Sequence, residues 1–277
     1  MGQTPAAPLV PPFLMLTQRA LRLVAGLGVQ PDSLAHATWL VLAATAPPPG
    51  PWRPLHLVPA VNCPALREIN LASRSVTAHP AGLLLLYDLE AWAFSPAQER
   101  RDPASAIRLG AAMAHNSGTW YAAAPSLTLA RELRPRALSP EVAYLSSGLI
   151  DAAAPACDLL HVQSQSLERT PTRYLRFVRQ VVGRARSLNP TLWITAGLST
   201  NPPGPAVSLE QLLECVALTE GIVDGYWLNV PRPGPRCPRC RPEDPALAAL
   251  LLSLLAVIGS HVGLRPSRRW QSPPTAE

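Results

Sequence analysis

Residues 82–92 read GLLLLYDLEAW. The opening apolar run of this stretch is typical of a strand that is covered on both faces, as strands of parallel sheets are. Asp88 and Glu90 end the run, and alternation along a strand places both carboxylates on one face, opposite Tyr87 and Leu89. The stretch therefore predicts a buried parallel strand that delivers two carboxylates to the carboxyl edge of its sheet.

Similar apolar runs recur along the chain and alternate with helical patterns, as parallel strands joined by crossover helices do. The predicted strands are 38–43, 55–61, 82–89, 119–124, 159–165, 192–198 and 223–230, with an eighth expected near 257–264. This rhythm predicts an α/β fold, a (β/α)8 TIM-like barrel or close variant, in a single domain. A doubly wound open sheet is the alternative, but no Gly-x-Gly-x-x-Gly and no phosphate loop follows a strand.

Helix signals lie between these strands. Asp102 and Pro103 predict the start of a helix over 103–116, and Ser208 with Gln211 has the spacing of a capping box. Further helices are expected at 16–25, at 172–188 and after Asp244. The predicted organisation is an N-terminal extension with one helix (1–35), the barrel (36–264) and a flexible C-terminal tail (265–277).

Composition excludes several classes of enzyme. All 24 of the Lys and Arg residues are arginines, so the chain has no lysine. This excludes Schiff-base aldolases, pyridoxal-phosphate enzymes with a lysine anchor and Walker-type phosphate loops. Hydrophobic residues make up 48% and charged residues 15%, enough apolar material for one large core. No cofactor is predicted.

Charge and hydropathy bear on partners and location. The net charge is +6, but the arginines are scattered and aromatics are only 5%, so nucleic-acid binding is not expected. Residues 246–264 are almost wholly apolar and about long enough to span a bilayer, yet the interruptions at Ser253, Gly259, Ser260 and His261 favour a buried segment. With no secretory signal apparent, a cytoplasmic location is expected.

The five cysteines are an odd number for a disulfide framework. Cys237 and Cys240 have the spacing of half a zinc site, whereas a structural zinc site needs four ligands and no second pair exists. A half-site completed in space, a redox pair and two ordinary loop cysteines all remain open. No metal is assigned to the predicted site.

Ligands of parallel α/β folds bind beyond the carboxyl ends of the strands, so polar residues there are the site candidates. Two close carboxylates tend to share a proton near neutrality, which suits a general acid, and Trp92 follows them as a possible floor for a flat ligand. His161, Gln163 and Gln165 share one face of another predicted strand. Inward polar groups of this kind bind a ligand or form an internal network.

Two more strand ends supply candidates. Asn201 lies in the segment GLSTNPPG, residues 197–204, as a ligand contact or a turn residue. Trp227 and Asn229 share a face near the end of the next strand, where the indole stacks on a sugar or packs in the interior.

The segments YDLEAW (87–92), QSQSLER (163–169) and GLSTNPPG (197–204) resemble a group of uncharacterised barrel-like proteins from high-GC bacteria, over residues 82–241. More distantly, a strand ending in Asp-x-Glu at a barrel mouth is similar to the chitinase-type glycoside hydrolases and to lysozyme-like barrels. The chitinase resemblance implies that Glu90 protonates the glycosidic oxygen and that Asp88 orients an acetamido group. The acidic residues that precede this pair in that family are leucines here, including Leu86.

The sequence therefore predicts a barrel-fold hydrolase acting on a glycosidic bond of a saccharide or other small molecule. Glu90 is the predicted general acid and Asp88 its partner. The predicted substrate contacts are Trp92, Gln163, Gln165, Asn201, Trp227 and Asn229. The alternatives are a metal-dependent lyase or isomerase, with Asp88 and Glu90 binding magnesium or manganese, and a non-catalytic ligand-binding barrel.

Overall fold

The apolar runs of the chain form the strands of a closed barrel. The computed structural model describes residues 13–29, 38–42, 57–74, 83–234, 237 and 240–261. The strands are β1 Phe13–Thr17, β2 Thr38–Leu42, β3 Leu57–Cys63, β4 Leu84–Tyr87, β5 Trp120–Ala123, β6 Leu159–Val162, β7 Trp193–Ser199 and β8 Gly225–Asn229. Each pairs in parallel with the next, and β8 pairs with β1. The predicted (β/α)8 barrel is confirmed.

Helices connect the strands on the outside of the barrel. They are α1 Gln18–Gly26, α2 Leu66–Ser73, α3 Ala97–Arg101, α4 Pro103–Asn116, α5 Leu127–Leu133, α6 Pro140–Ser146, α7 Leu149–Ala153, α8 Pro171–Leu188, α9 Leu209–Thr219 and α10 Pro245–His261. The predicted caps are present: Asp102 accepts the backbone N–H of Ser105 at 3.1 Å, and Ser208 with Gln211 forms a capping box. These caps satisfy helix N–H groups that have no partner within the helix.

Alternate residues of each strand point to opposite sides, which divides the core into two clusters. The outward cluster packs under the helices and includes Leu85, Tyr87 and Ile194. The inward cluster fills the barrel and consists of Phe13, Met15, Leu40, Leu42, Val58, Ala60, Leu84, Leu86, Trp120, Ala122, Ala124, Leu159, Trp193 and Trp227. The interior is therefore packed with side chains, and a ligand site is expected above it at the carboxyl ends of the strands.

The structure corrects both ends of the predicted barrel. Residues 13–17 are not part of an extension but form β1, the first strand of the barrel. The eighth strand expected near 257–264 is wrong, because α10 continues to His261. A uniformly apolar run has neither a period of two nor a period of 3.6, so this run does not by itself distinguish strand from helix. The predicted tail, 265–277, lies outside the described residues.

Within the part of the chain that is described, no helix combines the length and the apolar character needed to cross a membrane.

Gly225 allows the barrel to close. It pairs with Phe13 across the β8–β1 seam, and a Cβ atom at Gly225 would lie 2.2 Å from the carbonyl oxygen of Phe13. Backbone atoms of a closed sheet have little room to move, so a methyl group here separates the two strands.

We expect Gly225→Ala to lower the free energy of unfolding by about 3 kcal/mol or more, because the collision involves backbone. Gly183→Ala is the matched control: Gly183 lies exposed in α8 with nothing within 4 Å of an added Cβ. This control should gain up to about 1 kcal/mol from helix propensity. Urea unfolding of both variants measures the difference, and wild-type stability of Gly225→Ala would contradict the seam described here.

Candidate active site at the carboxyl end of the barrel

The carboxyl group of Asp88 lies where three strands end. Asp88 follows β4 directly, and its backbone N–H still bonds the carbonyl of Cys63 at 3.0 Å. Period-two alternation from Leu84 and Leu86 directs the Asp88 side chain inward, whereas Tyr87 points outward and donates its hydroxyl to Glu99 at 2.7 Å. The carboxyl end of β4 thus places one acid at the top of the packed interior.

Two amide groups from other strands hold Asp88. The Nδ2 of Asn62 donates to Oδ2 at 3.0 Å, and the Nε2 of Gln163 donates to Oδ1 at 2.9 Å. The same Nε2 donates to the carbonyl of Ala124 at 2.9 Å, which orients the Gln163 amide. Asp88 is 4% exposed, and buried carboxyl oxygens need such donors. We call Asp88, Asn62 and Gln163 the amide clamp.

Glu90 lies just beyond the strand, in a loop organised by Ser95. The buried Ser95 hydroxyl donates to the carbonyl of Pro64 at 3.0 Å. It accepts the Trp92 indole N–H at 2.9 Å and the Glu90 backbone N–H at 3.3 Å. Trp92 packs edge-to-face on Phe94 with ring centroids 5.2 Å apart. Glu90 and Trp92 are both half-buried, so the same short loop carries a partly exposed carboxyl group and a partly exposed aromatic ring, two positions apart in sequence.

The structure shortens the strand on which the two acids were predicted. β4 ends at Tyr87, but its pairing continues, because the carbonyl of Leu89 accepts the N–H of Ser126 at 3.1 Å. Leu89 packs in the outward cluster with Tyr87, as the predicted alternation requires. The backbone N–H of Glu90 bonds Ser95 instead of a neighbouring strand, so the loop begins at Glu90. Asp88 is buried and clamped, while Glu90 lies in the loop and reaches the surface. The two carboxyl groups therefore have different environments, which is the condition for two different chemical roles.

His161 belongs to the barrel interior. Its Nδ1 pairs with the hydroxyl of Thr195 at 3.0 Å, and its ring lies 4.7 Å from that of Trp227. Burial lowers the pKa of His161 to about 3, so the imidazole is neutral at ordinary pH. Trp227 is itself only 5% exposed. His161 is thus held by Thr195 and packs against Trp227 inside the barrel, while its Nε2 and the indole N–H of Trp227 are buried without a partner among the described residues.

Gln165 does not share a strand face with His161 and Gln163, because β6 ends at Val162 and residues Gln165–Leu167 form a 3-10 turn. Its side chain fills the space above Gly197, where an added Cβ would lie 2.4 Å from the Gln165 Cδ. It is partly exposed in this position. Of the predicted amide contacts, Gln163 holds Asp88, and Gln165 lies over the end of β7.

Asn201 is buried, and its side-chain amide donates to the carbonyl of Pro242 in the segment after β8. It therefore ties two loops together, which is the turn role that the sequence left open. Asn229 is partly exposed at the end of β8, and its carbonyl accepts the N–H of Thr200 at 3.0 Å.

The segments 163–169 and 197–204 pack against each other. The guanidinium of Arg169 donates to the carbonyls of Pro202, Pro203 and Pro205 at 3.2, 2.9 and 2.7 Å. A loop rich in proline contains many carbonyl acceptors but few backbone N–H donors, so its carbonyls depend on donors from elsewhere in the fold. This contact explains why the Pro-rich loop and the arginine occur together.

Two residues of the site were missed by the sequence. Asn62 is the last inward residue of β3, and the pattern Val58, Ala60, Asn62 carries the same period-two signal that identified Asp88. Glu168 is fully buried beside β7, where its Oε1 accepts the backbone N–H of Ser199 and its Oε2 has no partner among the described residues. No feature of the sequence distinguishes Glu168 from a surface glutamate.

The five cysteines fall into two groups. Cys237 and Cys240 form a disulfide, and Cys63, Cys157 and Cys215 are buried thiols. Among the residues described, no group of three or more His, Cys, Asp or Glu side chains is arranged to hold a metal ion.

Comparison with known proteins supports the fold. No family model and no curated protein matches the chain. It is similar to the spore cortex-lytic enzyme SleL of Bacillus megaterium QM B1551, with 9% identity and a TM-score of 0.52 over 89% of this chain and 74% of that chain. It is also similar to the PgaB (BpsB) glycoside hydrolase domain from Bordetella bronchiseptica, with 11% identity and a TM-score of 0.50 over 90% of this chain and 98% of that chain.

The carboxyl transferase domain of Rhizobium etli pyruvate carboxylase is 12% identical, with a TM-score of 0.47. The alignment covers 97% of this chain but 50% of that domain, so the chain spans about half its length. At such identities the similarity shows a shared barrel, and activity has to be argued from the residues.

The burial of Glu168 makes the stability of the fold depend on pH. Desolvation raises the pKa of Glu168 well above its ordinary value, against a smaller opposing effect of the Ser199 N–H. The folded protein then retains a proton that the unfolded chain releases above about pH 4.3. Over that window the unfolded state binds fewer protons, so stability falls as pH rises, by about 1.4 kcal/mol per pH unit for one group.

We expect Glu168→Gln to remove this slope, because an amide resembles the protonated acid at every pH. The free energy of unfolding of the variant should exceed that of the wild type at pH 8 and approach it at pH 4.5. Glu210→Gln, at an exposed position on α9, is the control and should keep the wild-type slope. Urea unfolding from pH 4.5 to 8.5 measures how the free energy of unfolding changes with pH. A Glu168→Gln variant whose free energy of unfolding equals that of the wild type at every pH would show that Glu168 ionises normally.

Proposed function

We propose that this barrel hydrolyses a glycosidic bond, with Glu90 as general acid and Asp88 as the group that positions the substrate. The observation that carries the proposal is the contrast at the end of β4. A buried acid is fixed by two amides, and two residues later a half-buried acid lies in a loop that also carries an aromatic pair. A glycoside hydrolase domain is among the proteins that share this barrel fold, so the fold is compatible with the proposed reaction, and the argument for it comes from the residues.

Glu90 has the accessibility that a general acid requires. Glycoside cleavage needs a proton on the leaving oxygen as the bond from the sugar carbon to that oxygen breaks. The Glu90 carboxyl supplies that proton in the proposed reaction, and the resulting carboxylate then takes a proton from the water that completes hydrolysis. A residue as deeply buried as Asp88 does not reach the leaving group in this way.

Asp88 has the rigidity that a positioning group requires. Both of its oxygens receive amide N–H groups, and Gln163 is fixed in turn by the carbonyl of Ala124. In the resemblance to chitinase-type enzymes, the corresponding aspartate orients an acetamido group. A carboxylate held from two other strands keeps its orientation while substrate binds, and such preorganisation is worth orders of magnitude in rate.

Trp92 and Phe94 provide the apolar surface of the proposed site. Their edge-to-face contact and the Trp92 indole bond to Ser95 fix the rings within a few residues of Glu90. Sugar rings present apolar C–H faces that pack on aromatic rings, so this pair suits a saccharide.

Fluorogenic β-linked oligomers of an acetamido sugar are the first substrates to test, after a thermal-shift screen of saccharides and divalent cations. We expect Glu90→Gln to lower kcat by about 100-fold or more with a smaller change in KM, because the proton donor acts in the transition state. Glu132→Gln, an exposed glutamate paired with Arg100, is the control and should keep wild-type kinetics. Unchanged kcat in Glu90→Gln would remove Glu90 from the mechanism.

Gln163 gives a separate test of the clamp. Gln163→Leu deletes the donor to Asp88 and should lower kcat by about 10-fold or more, since Asp88 loses its fixed orientation. Gln98→Leu, at an exposed position of α3, is the matched control. If Gln163→Leu raises KM alone, Gln163 is a substrate contact, as the sequence first predicted, and not a support for Asp88.

A further inference from the structure

The segment that follows β8 carries a disulfide between Cys237 and Cys240. We propose that this pair is a reversible thiol–disulfide exchange site at the barrel mouth, reduced by a dithiol or by a pair of thiols. The proposal does not depend on the glycosidic activity. Its support comes from the size of the ring, the state of the other cysteines, the surrounding charge and the contacts of the segment.

The disulfide closes a very small ring. Only Pro238 and Arg239 separate the two cysteines in sequence. In the chain-entropy account, the stabilisation given by a disulfide grows with the length of the loop it closes, so a ring of this size stabilises the fold less than a long-range crosslink. Its main effect is to fix the conformation of one segment at the mouth.

The remaining cysteines do not compete for exchange. Cys63, Cys157 and Cys215 are buried, and desolvation raises the pKa of each, that of Cys63 to about 12. A thiol that stays protonated is a poor nucleophile. Cys237, by contrast, is partly exposed, whereas Cys240 is 8% exposed. Cys237 is therefore the more accessible of the two residues, and we take its sulfur as the one that a reductant attacks.

The segment around this bond is rich in positive charge. The structure describes Arg232 and Arg241 as exposed residues of the segment, and Arg236 and Arg239 adjoin the two cysteines in sequence. Neighbouring cations stabilise a thiolate, and a stabilised leaving thiolate speeds exchange. The two carboxylates that follow have other partners, since Glu243 pairs with Arg19 and Asp244 accepts the N–H of Leu247 at 2.9 Å.

The exchange proceeds in two balanced steps. One thiolate of the reductant attacks the Cys237 sulfur, the bond between the two cysteines breaks, and its electron pair leaves on Cys240, which takes up a proton. The second thiol of the reductant, as thiolate, then attacks the reductant sulfur that is bonded to Cys237. The bond between that sulfur and Cys237 breaks, and Cys237 leaves as a thiolate that takes up a proton. The protein gains two electrons and two protons, and the reductant becomes a disulfide.

The pair lies within a turn that is attached to the mouth at both ends. Cys237 exchanges backbone hydrogen bonds with Gly234 at 2.9 and 3.2 Å. Before it, the carbonyl of Val230 accepts from Arg19 at 3.5 Å; after it, the carbonyl of Pro242 accepts from Asn201. Reduction removes the crosslink inside this turn and loosens the contact with Asn201, on the β7 side of the mouth.

The test is a redox titration of the full chain in graded ratios of reduced to oxidised glutathione, quenched by acid and then alkylated for peptide mass spectrometry. We expect Cys237 and Cys240 to become alkylated together while circular dichroism still reports a folded protein. Cys63, Cys157 and Cys215 are internal controls, alkylated only after unfolding.

Hydrogen exchange of the oxidised and reduced protein gives the second readout. Amides around Asn201 and in 231–243 should exchange faster after reduction, while those of β3 should not change. The double variant Cys237→Ser, Cys240→Ser should show the same increase without reductant. A disulfide that resists glutathione until the chain unfolds would overturn the proposal. So would purified protein in which both thiols hold zinc, or reduction that leaves exchange around Asn201 unaltered.

Discussion

The hydrogen bonds that Asp88 receives from Asn62 and Gln163 connect the chemistry of the mouth to the fold. A carboxyl group that is 4% exposed is costly to bury, and two amide donors offset that cost only if β3, β4 and β6 end at the same height. Closure of the barrel fixes that height, because each strand is in register with its neighbours around the complete ring. The position of one carboxyl group therefore depends on all eight strands.

On the other side of the mouth, polar residues serve the fold itself. Arg169 satisfies the carbonyls of the loop after β7, and Asn201 joins that loop to the segment after β8. Glu168 supports the end of β7 through Ser199 while remaining fully buried. Asn201, a predicted ligand contact, is occupied here in joining two loops, and the prolines of these loops supply acceptors without donors.

The sequence predicted those features that a local pattern encodes. Seven strands were recognisable because buried parallel strands are unbroken apolar runs. The helix caps at Asp102 and Ser208 were recognisable because a cap involves residues that are only a few positions apart. β1 was missed because Thr17 both ends the strand and caps α1, so no turn residues separate the two. Asp88 was found as a strand end; its pairing with Asn62 and Gln163 joins residues 26 and 75 positions away, which no local pattern reports.

These two halves of the mouth differ in how they can change. The half built on β3, β4 and β6 is fixed by side chains that bond strand-end groups, so moving Asp88 requires the barrel itself to move. The half after β7 and β8 is fixed by loop contacts and by the disulfide between Cys237 and Cys240. The proposed exchange acts on this second half alone, because the bonds from Asn62 and Gln163 to Asp88 include no residue of the segment after β8. A change of redox state is therefore expected to alter the loops after β7 and β8 while Asp88 keeps its orientation.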